Sequence, residues 1–319
     1  MLVKFLSLVL CAASLVETVA AQSADQPRCG SDGKIHLQVL GSGGPMHAEG
    51  RGGSAYALWQ SGRPIVVVDM GADTPAALSR AGAAPGTVDV LLISHMHADH
   101  VSGVADFLWG EMAAERQRAL VVAGPDSNTE RFPALSEFFV RLIGPTGVFP
   151  TLSGLQSGKP FALQLTTLSV AQSSPQVVTE HEGVKITALS VPHGPAPALA
   201  YRLDGRTFSV VLAGDQSGLH PKFADFASGA DILVVHSTVN DRAKNGLLAV
   251  AVGIPERLGA IANASRAKRL VLSHLMGEPG DSEQAKRWSL ADLDGVMRSI
   301  RREYAGPVTV ATDFVCLPM

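Results

Sequence analysis

The sequence predicts an α/β fold, and two observations carry that prediction. Apolar runs of strand length, such as VDVLLIS at 88–94, ADILVV at 230–235 and RAKRLVLS at 266–273, alternate with stretches whose apolar residues recur at helical spacing. Several of these runs also end on a side chain that binds metal or moves a proton: His193 after VKITALSVP, Asp215 after TFSVVLAG, His236 after ADILVV and His274 after RAKRLVLS. Open α/β sheets gather functional groups at the carboxyl ends of their strands, so this regularity marks one edge of the molecule.

Taken in order, residues 1–21 read as a secretory signal peptide: Lys4, an apolar run over 5–16, and small residues ahead of Gln22. The run is too short to span a bilayer, and Leu10 before Cys11 is too large for a lipoprotein cleavage site. A soluble exported protein with no stable membrane anchor is expected, periplasmic or secreted, with residues 22–319 forming a single domain. Residues 35–40 form a strand that ends in the Gly-rich turn 41–45, whose glycines let the backbone pass close to a neighbour. Without a lysine and a following helix, that turn is not a phosphate loop. Residues 55–59 and 65–68 make a hairpin ending in Asp69. A helix follows over 73–81, capped by Asp73 or Thr74. Next come the strand 88–94 and a helix over 101–112, with Phe107 and Trp109 on its packed face. Residues 119–123 are a strand and 129–143 a helix. The segment 144–159, rich in Gly, Pro, Ser and Thr, is a surface excursion placed to overhang the site. Strand-like runs fill 161–191. Two more helices, over 254–264 with Pro255 in its first turn and over 290–304, precede a last strand at 308–314.

The chain has 319 residues, of which 46% are hydrophobic and 17% charged, enough for one sizeable core. Removing the leader takes away Lys4 and Glu17 together and leaves the net charge at −3, which gives no electrostatic footprint for a nucleic-acid groove. Cys29 and Cys316 remain near the two ends. An oxidising compartment permits a bridge between them, and two buried thiols that never meet fit the sequence equally well.

The densest chemistry is His95-Met96-His97-Ala98-Asp99-His100: four ligand-type side chains in six positions, between a strand and a helix, in a chain with ten histidines. Neutral imidazole suits zinc, and an adjoining carboxylate suits a second divalent ion, because two close cations need anionic ligands. His36, His47, His181 and His220 read instead as structural or solvated.

With HMHADH followed in order by His193, Gly214-Asp215 and Ser273-His274, the chain resembles the metallo-β-lactamase fold superfamily over nearly all of residues 22–319. The resemblance implies a four-layer αββα sandwich, of α/β (α+β) class, with a binuclear centre at one edge. His95, His97 and His193 would hold the first metal, Asp99, His100 and His274 the second, and Asp215 would bridge them. Two Zn2+ ions are the implied cofactor, with Mn2+ or Fe as alternatives. A water bridging such a pair is largely hydroxide at neutral pH and serves as the nucleophile. Asp69 is placed to orient a ligand histidine, or else is a turn or helix-capping aspartate.

LGSGGP at 40–45, DMG at 69–71, AYRL at 200–203, AGD at 213–215 and HST at 236–238 resemble the ribonuclease Z-like branch, which includes tRNA 3′ processing enzymes, cyclic-nucleotide phosphodiesterases and alkyl or aryl sulfatases. There the histidine matching His236 is thought to protonate the leaving group, its other reading here being a buried structural histidine. The chain departs from that pattern in having Gln216 where a threonine commonly stands and no histidine within 239–254. Only 21 residues separate His193 from Asp215, too few for a tRNA-gripping arm, so tRNA is disfavoured as a partner. The expected function is that of an exported dinuclear zinc hydrolase acting on a small phosphodiester or sulfate ester, with a homodimer left open. The alternative is a metal-dependent lactone, thioester or β-lactam hydrolase. Aspartate at 215, where true β-lactamases usually carry cysteine or serine, disfavours the β-lactam.

Overall fold

The computed structural model describes residues 28–46, 48–126, 129, 131–277 and 282–319. The leader and His47 lie outside the described residues. In chain order the first half runs β1 (His36–Gly41), β2 (Ala55–Gln60), β3 (Arg63–Val68), α1 (Thr74–Arg80), β4 (Val90–Leu92), α2 (Ala98–Val101), α3 (Val104–Ala113), β5 (Leu120–Pro125), α4 (Leu135–Ile143) and β6 (Leu163–Leu168). The second half runs β7 (Gln176–His181), β8 (Val184–His193), β9 (Ala196–Asp204), β10 (Ser209–Leu212), α5 (Phe223–Phe226), β11 (Ile232–His236), α6 (Pro255–Ala264), β12 (Leu270–Ser273), α7 (Leu293–Glu303), β13 (Val308–Val310) and β14 (Cys316–Pro318).

These strands form two seven-stranded sheets, ordered β14-β1-β2-β3-β4-β5-β6 and β13-β12-β11-β10-β9-β8-β7. In each sheet three antiparallel pairings give way to three parallel ones. Parallel neighbours need crossovers, and most of the helices occur in those connections. Alternation along each strand sorts the side chains: Val66, Val68, Val90 and Leu92 meet Val210, Val234 and Val271 between the sheets. Val67 and Leu91 face α1 and α3, while Leu233, Val235, Leu270 and Leu272 face α6 and α7. Burial on both faces explains why these strands read as unbroken apolar runs. The result is the expected four-layer αββα sandwich.

Several expected boundaries move, for local reasons. The helix expected over 101–112 is split into α2 and α3 at Gly103, where a Cβ would lie 2.6 Å from the Gly71 carbonyl oxygen. Phe107 is buried, but Trp109 is 50% exposed and off the packed face. The helix expected from 129 starts only at Leu135, because Pro133 disfavours helical backbone just before it and Ala134 is extended. Asp73 precedes α1 with φ +65° and makes no side-chain cap bond, and the Thr74 hydroxyl has no partner, so neither caps the helix. Within 144–159, a 3₁₀ helix (Pro150–Ser157) buries Leu152 and Leu155. The last expected strand stops at Val310, and the chain crosses to the other sheet, where Cys316 pairs with Gln38. There Cys29 and Cys316 form a disulfide with Cα atoms 5.6 Å apart, which resolves the alternative the sequence left open.

Candidate metal centre

β3 and β4 run parallel and side by side, and the residues following them build the centre. Asp69 follows β3 in the left-handed region (φ +60°), and its carboxylate accepts from the Ser94 amide (2.7 Å) and the Ser94 hydroxyl (2.8 Å). The same carboxylate accepts from His100 Nδ1–H at 2.7 Å, which leaves Nε2 as the lone-pair nitrogen. One buried aspartate thus fixes both the start of the HMHADH loop and the ring at its end.

Four donors form a first group, His95, His97, His193 and Asp215, with their ligand atoms within 4.8 Å of one another. His97 Nδ1 lies 2.9 Å from His95 Nε2 and 3.3 Å from His193 Nε2. His193 donates its other nitrogen, Nδ1–H, to the Ala251 carbonyl (2.7 Å). A second group faces it. His100 Nε2 and His274 Nε2 are 3.3 Å apart, and Asp99 Oδ2 lies 3.4 Å from the former and 3.1 Å from the latter. His274 Nδ1 is bonded to the Thr238 hydroxyl at 3.1 Å. Asp215 straddles the two groups: Oδ2 is 3.4 Å from His193 Nε2, and Oδ1 is 3.4 Å from His274 Nε2. All seven residues named from the sequence therefore converge.

The arrangement passes a physical test for cation binding. His193 and His100 each spend one ring nitrogen on a protein partner, which turns the other inward beside the inward nitrogens of His97 and His274 and the carboxylates of Asp215 and Asp99, a donor set able to surround a cation. The mixed imidazole and carboxylate donors suit zinc, manganese or iron. Electrostatics point the same way. Burial works against ionisation of Asp215, but His274, His236, His193 and His100 outweigh it and hold the carboxyl well below the usual range. Asp99 is likewise held down against its burial by His100 and His274. Burial lowers His95 well below the ordinary imidazole value. At His100 the balance runs the other way: burial lowers the ring, but Asp69 and Asp99 overcome it and raise it, favouring a proton that a bound cation would have to displace.

His236 joins the second group by distance, but not as an open proton donor. Its Nδ1 lies 2.5 Å from Asp215 Oδ1, its Nε2 lies 2.9 Å from the Tyr56 hydroxyl, and it is 4% exposed. Burial pushes its pKa down to about 4. A neutral His236 donates to Asp215, and its other nitrogen abuts the Tyr56 hydroxyl, which also contacts Ser273 Oγ at 2.9 Å, so this geometry orients the central carboxylate and leaves no nitrogen for a leaving group.

The Gly-rich turn does pass close to something. A Cβ at Gly44 would lie 2.6 Å from His274 Cε1, and one at Gly71 would lie 2.3 Å from the Asp99 carbonyl. Sequence reasoning missed Tyr56, Ser94, Thr238 and the Ala251 carbonyl. Ser94 and Thr238 were legible as polar residues beside ligand motifs. Tyr56 carried a weaker signal, a lone hydroxyl in a buried strand, and a backbone carbonyl gives none. His181, expected to be structural or solvated, sits at the far edge and donates to Asp89 at 3.0 Å, beside Arg63 and Arg118.

The two-sheet sandwich with paired donor groups along one edge defines a metallo-β-lactamase fold. The sequence profile of the family described as "Beta-lactamase superfamily domain" matches residues 66–275, more than half of the chain, and the protein belongs to that family. Its relatives include the ribonuclease Z of Mycobacterium sp. (strain KMS), 30% identical over 186 residues, which are 57% of this chain and 61% of the relative. The ribonuclease Z of Mycobacterium avium (strain 104) is 28% identical over 207 residues, 63% of this chain and 69% of that one. Among solved structures, the short form of human tRNase Z superposes with a TM-score of 0.65 at 20% identity, covering 89% of this chain and 100% of its own. The metallo-β-lactamase fold protein YhfI from Bacillus subtilis gives 0.64 at 19% identity over 90% and 100%. At these identities the structural likeness shows the fold.

Proposed function

We propose that the chain is an exported, dinuclear metal-dependent hydrolase acting on a small phosphodiester or sulfate ester. The observation that carries this reading is Asp215, one carboxylate with an oxygen toward each of two donor groups. Asp99, His100 and His274 would hold one ion, and His95, His97 and His193 the other. When bound, such a pair supplies Lewis acidity and a water ionised at neutral pH. The chain's own groups then have defined tasks. Asp69 keeps His100 in the tautomer that presents Nε2, the Ala251 carbonyl does the same for His193, and His236 with Tyr56 fixes the rotation of Asp215.

A small substrate is favoured over tRNA because β9 and β10 are joined by only four residues, 205–208, between His193 and Asp215. The Cys29–Cys316 disulfide supports export, since such bonds persist in oxidising compartments.

Purified protein stripped by a chelator and restored with zinc or manganese should lose and regain hydrolysis of bis(p-nitrophenyl) phosphate or p-nitrophenyl sulfate. Turnover confined to a lactone, an acyl thioester or nitrocefin would reassign the substrate class, and tight metal binding without any turnover would reject the enzyme. Cell fractionation with mass spectrometry of the mature N-terminus tests export, and an uncleaved cytoplasmic protein would overturn it.

A further inference from the structure

Between α2, α3, α4 and the 144–159 segment lies a cavity of about 560 Å³ that, among the described residues, none of the ligand residues lines. One wall is a continuous face of α2 and α3, made by Ala98, Val101, Ala105 and Trp109. Phe149 helps to form the rest, where the 144–159 segment packs against α4. The cavity touches the HMHADH loop at Ala98, which stands between His97 and Asp99 in sequence.

The lining chemistry is selective. Among the described residues it contains no lysine or arginine, and its polar members are Ser102, Asp106 and Thr151. An anionic group gains nothing there, whereas an uncharged hydrocarbon does. Trp109 and Phe149 remain 50% and 44% exposed, two large rings half in water on facing walls. The volume falls within the range of small-molecule sites, ~300–1,000 Å³.

We infer that this cavity binds the apolar arm, aryl or alkyl, of the ester whose reacting group sits at the metal centre. The inference rests on the proposed function and narrows it from small esters in general to amphiphilic ones. The walls are built by the helix face that follows the ligand loop and by the 144–159 segment, so chain length would be read by residues that play no part in holding metal.

The test uses alkylphosphonates from methyl to octyl with the zinc-loaded protein, following tryptophan emission and affinity together, with Trp109→Phe identifying the source of the signal. Affinity should rise about threefold to fourfold per methylene until the cavity is filled, and the emission change should vanish in Trp109→Phe. Ala105→Phe, and independently Thr151→Trp from the opposite wall, should abolish the length dependence while leaving methylphosphonate binding unchanged. Length-independent affinity in the unaltered protein, or a slope that survives both substitutions, would overturn the inference and leave the metal-centre reading standing. Failure of every phosphonate to bind would remove both. A dimer in sedimentation that Ala105→Phe dissociates would assign the cavity to a second copy of the chain and overturn the inference.

Discussion

Asp69 and His100, 31 positions apart in sequence, are joined by a 2.7 Å hydrogen bond in a setting where both are almost fully buried. The bond fixes which imidazole nitrogen faces the centre. Asp69→Asn keeps the shape and tolerates the left-handed backbone at this position, but its amide nitrogen cannot accept from Nδ1–H. Metal affinity should fall about 10–100-fold, with far-ultraviolet circular dichroism unchanged. Competition against a fluorescent chelator measures the affinity, and an unaltered value would show that His100 is held by packing alone.

Gly44 abuts His274 so closely that a methyl group would fall 2.6 Å from the ring. Gly44→Ala should displace His274 and release one of two metal equivalents, because only the second donor group contains that histidine. Elemental analysis after gel filtration reads the stoichiometry. Two equivalents retained would mean that the turn yields instead of the ring.

His236 offers a choice between proton donation and positioning. A proton donor matters most for poor leaving groups, whereas a residue that orients Asp215 matters equally for all of them. Since both ring nitrogens are engaged by Asp215 and Tyr56, His236→Ala should lower kcat by a similar factor across aryl esters whose phenols differ in pKa. Tyr56→Phe should reproduce part of that loss. A loss that steepens with leaving-group pKa would restore the general-acid role.

Asp89 ties the far edge together. Burial alone would raise its carboxyl, but hydrogen bonds from Arg63 and His181 and the charge of Arg118 outweigh it and hold the group below its ordinary value near 3.8. The folded pKa is depressed, so the stabilisation is present in full above the unfolded pKa, about 3.9, and is lost as pH falls through the folded value. Asp89→Asn should cost about 1 kcal/mol at pH 7, since its partners Arg63, Arg118 and His181 are partly in solvent, and flatten the acid limb of the stability curve. Urea titrations at pH 7 and pH 3 check both, and equal losses at the two values would contradict the ion-pair account.

The disulfide closes a loop spanning 287 positions between the described start of the chain and β14. Reduction should destabilise the protein by ~2–5 kcal/mol, seen as a lower urea midpoint in dithiothreitol and absent in Cys29→Ser/Cys316→Ser. An unchanged midpoint on reduction would mean that β14 holds its place through strand pairing alone.

The positions of the donor residues were legible in the sequence through local rules, whereas the layer order was what the metallo-β-lactamase resemblance implied. Strands buried on two faces must be apolar throughout, so 88–94, 230–235 and 266–273 stand out, and the residue that follows each is the first free to be polar. HMHADH compresses four donors into a span no fold can scatter. The roles of the residues behind those donors were decided by tertiary structure. Tyr56 meets His236 only because β2 and β11 belong to sheets packed face to face, and Ala251 supplies a carbonyl, which every residue carries. Trp109 is a case where the sequence was misjudged. It stands two residues after the buried Phe107, about 200° round the helix, so its exposure follows from the helical period once the packed face is fixed by Val104, Phe107 and Leu108. The bond between Cys29 and Cys316, by contrast, was settled by the final strand crossing from one sheet to the other.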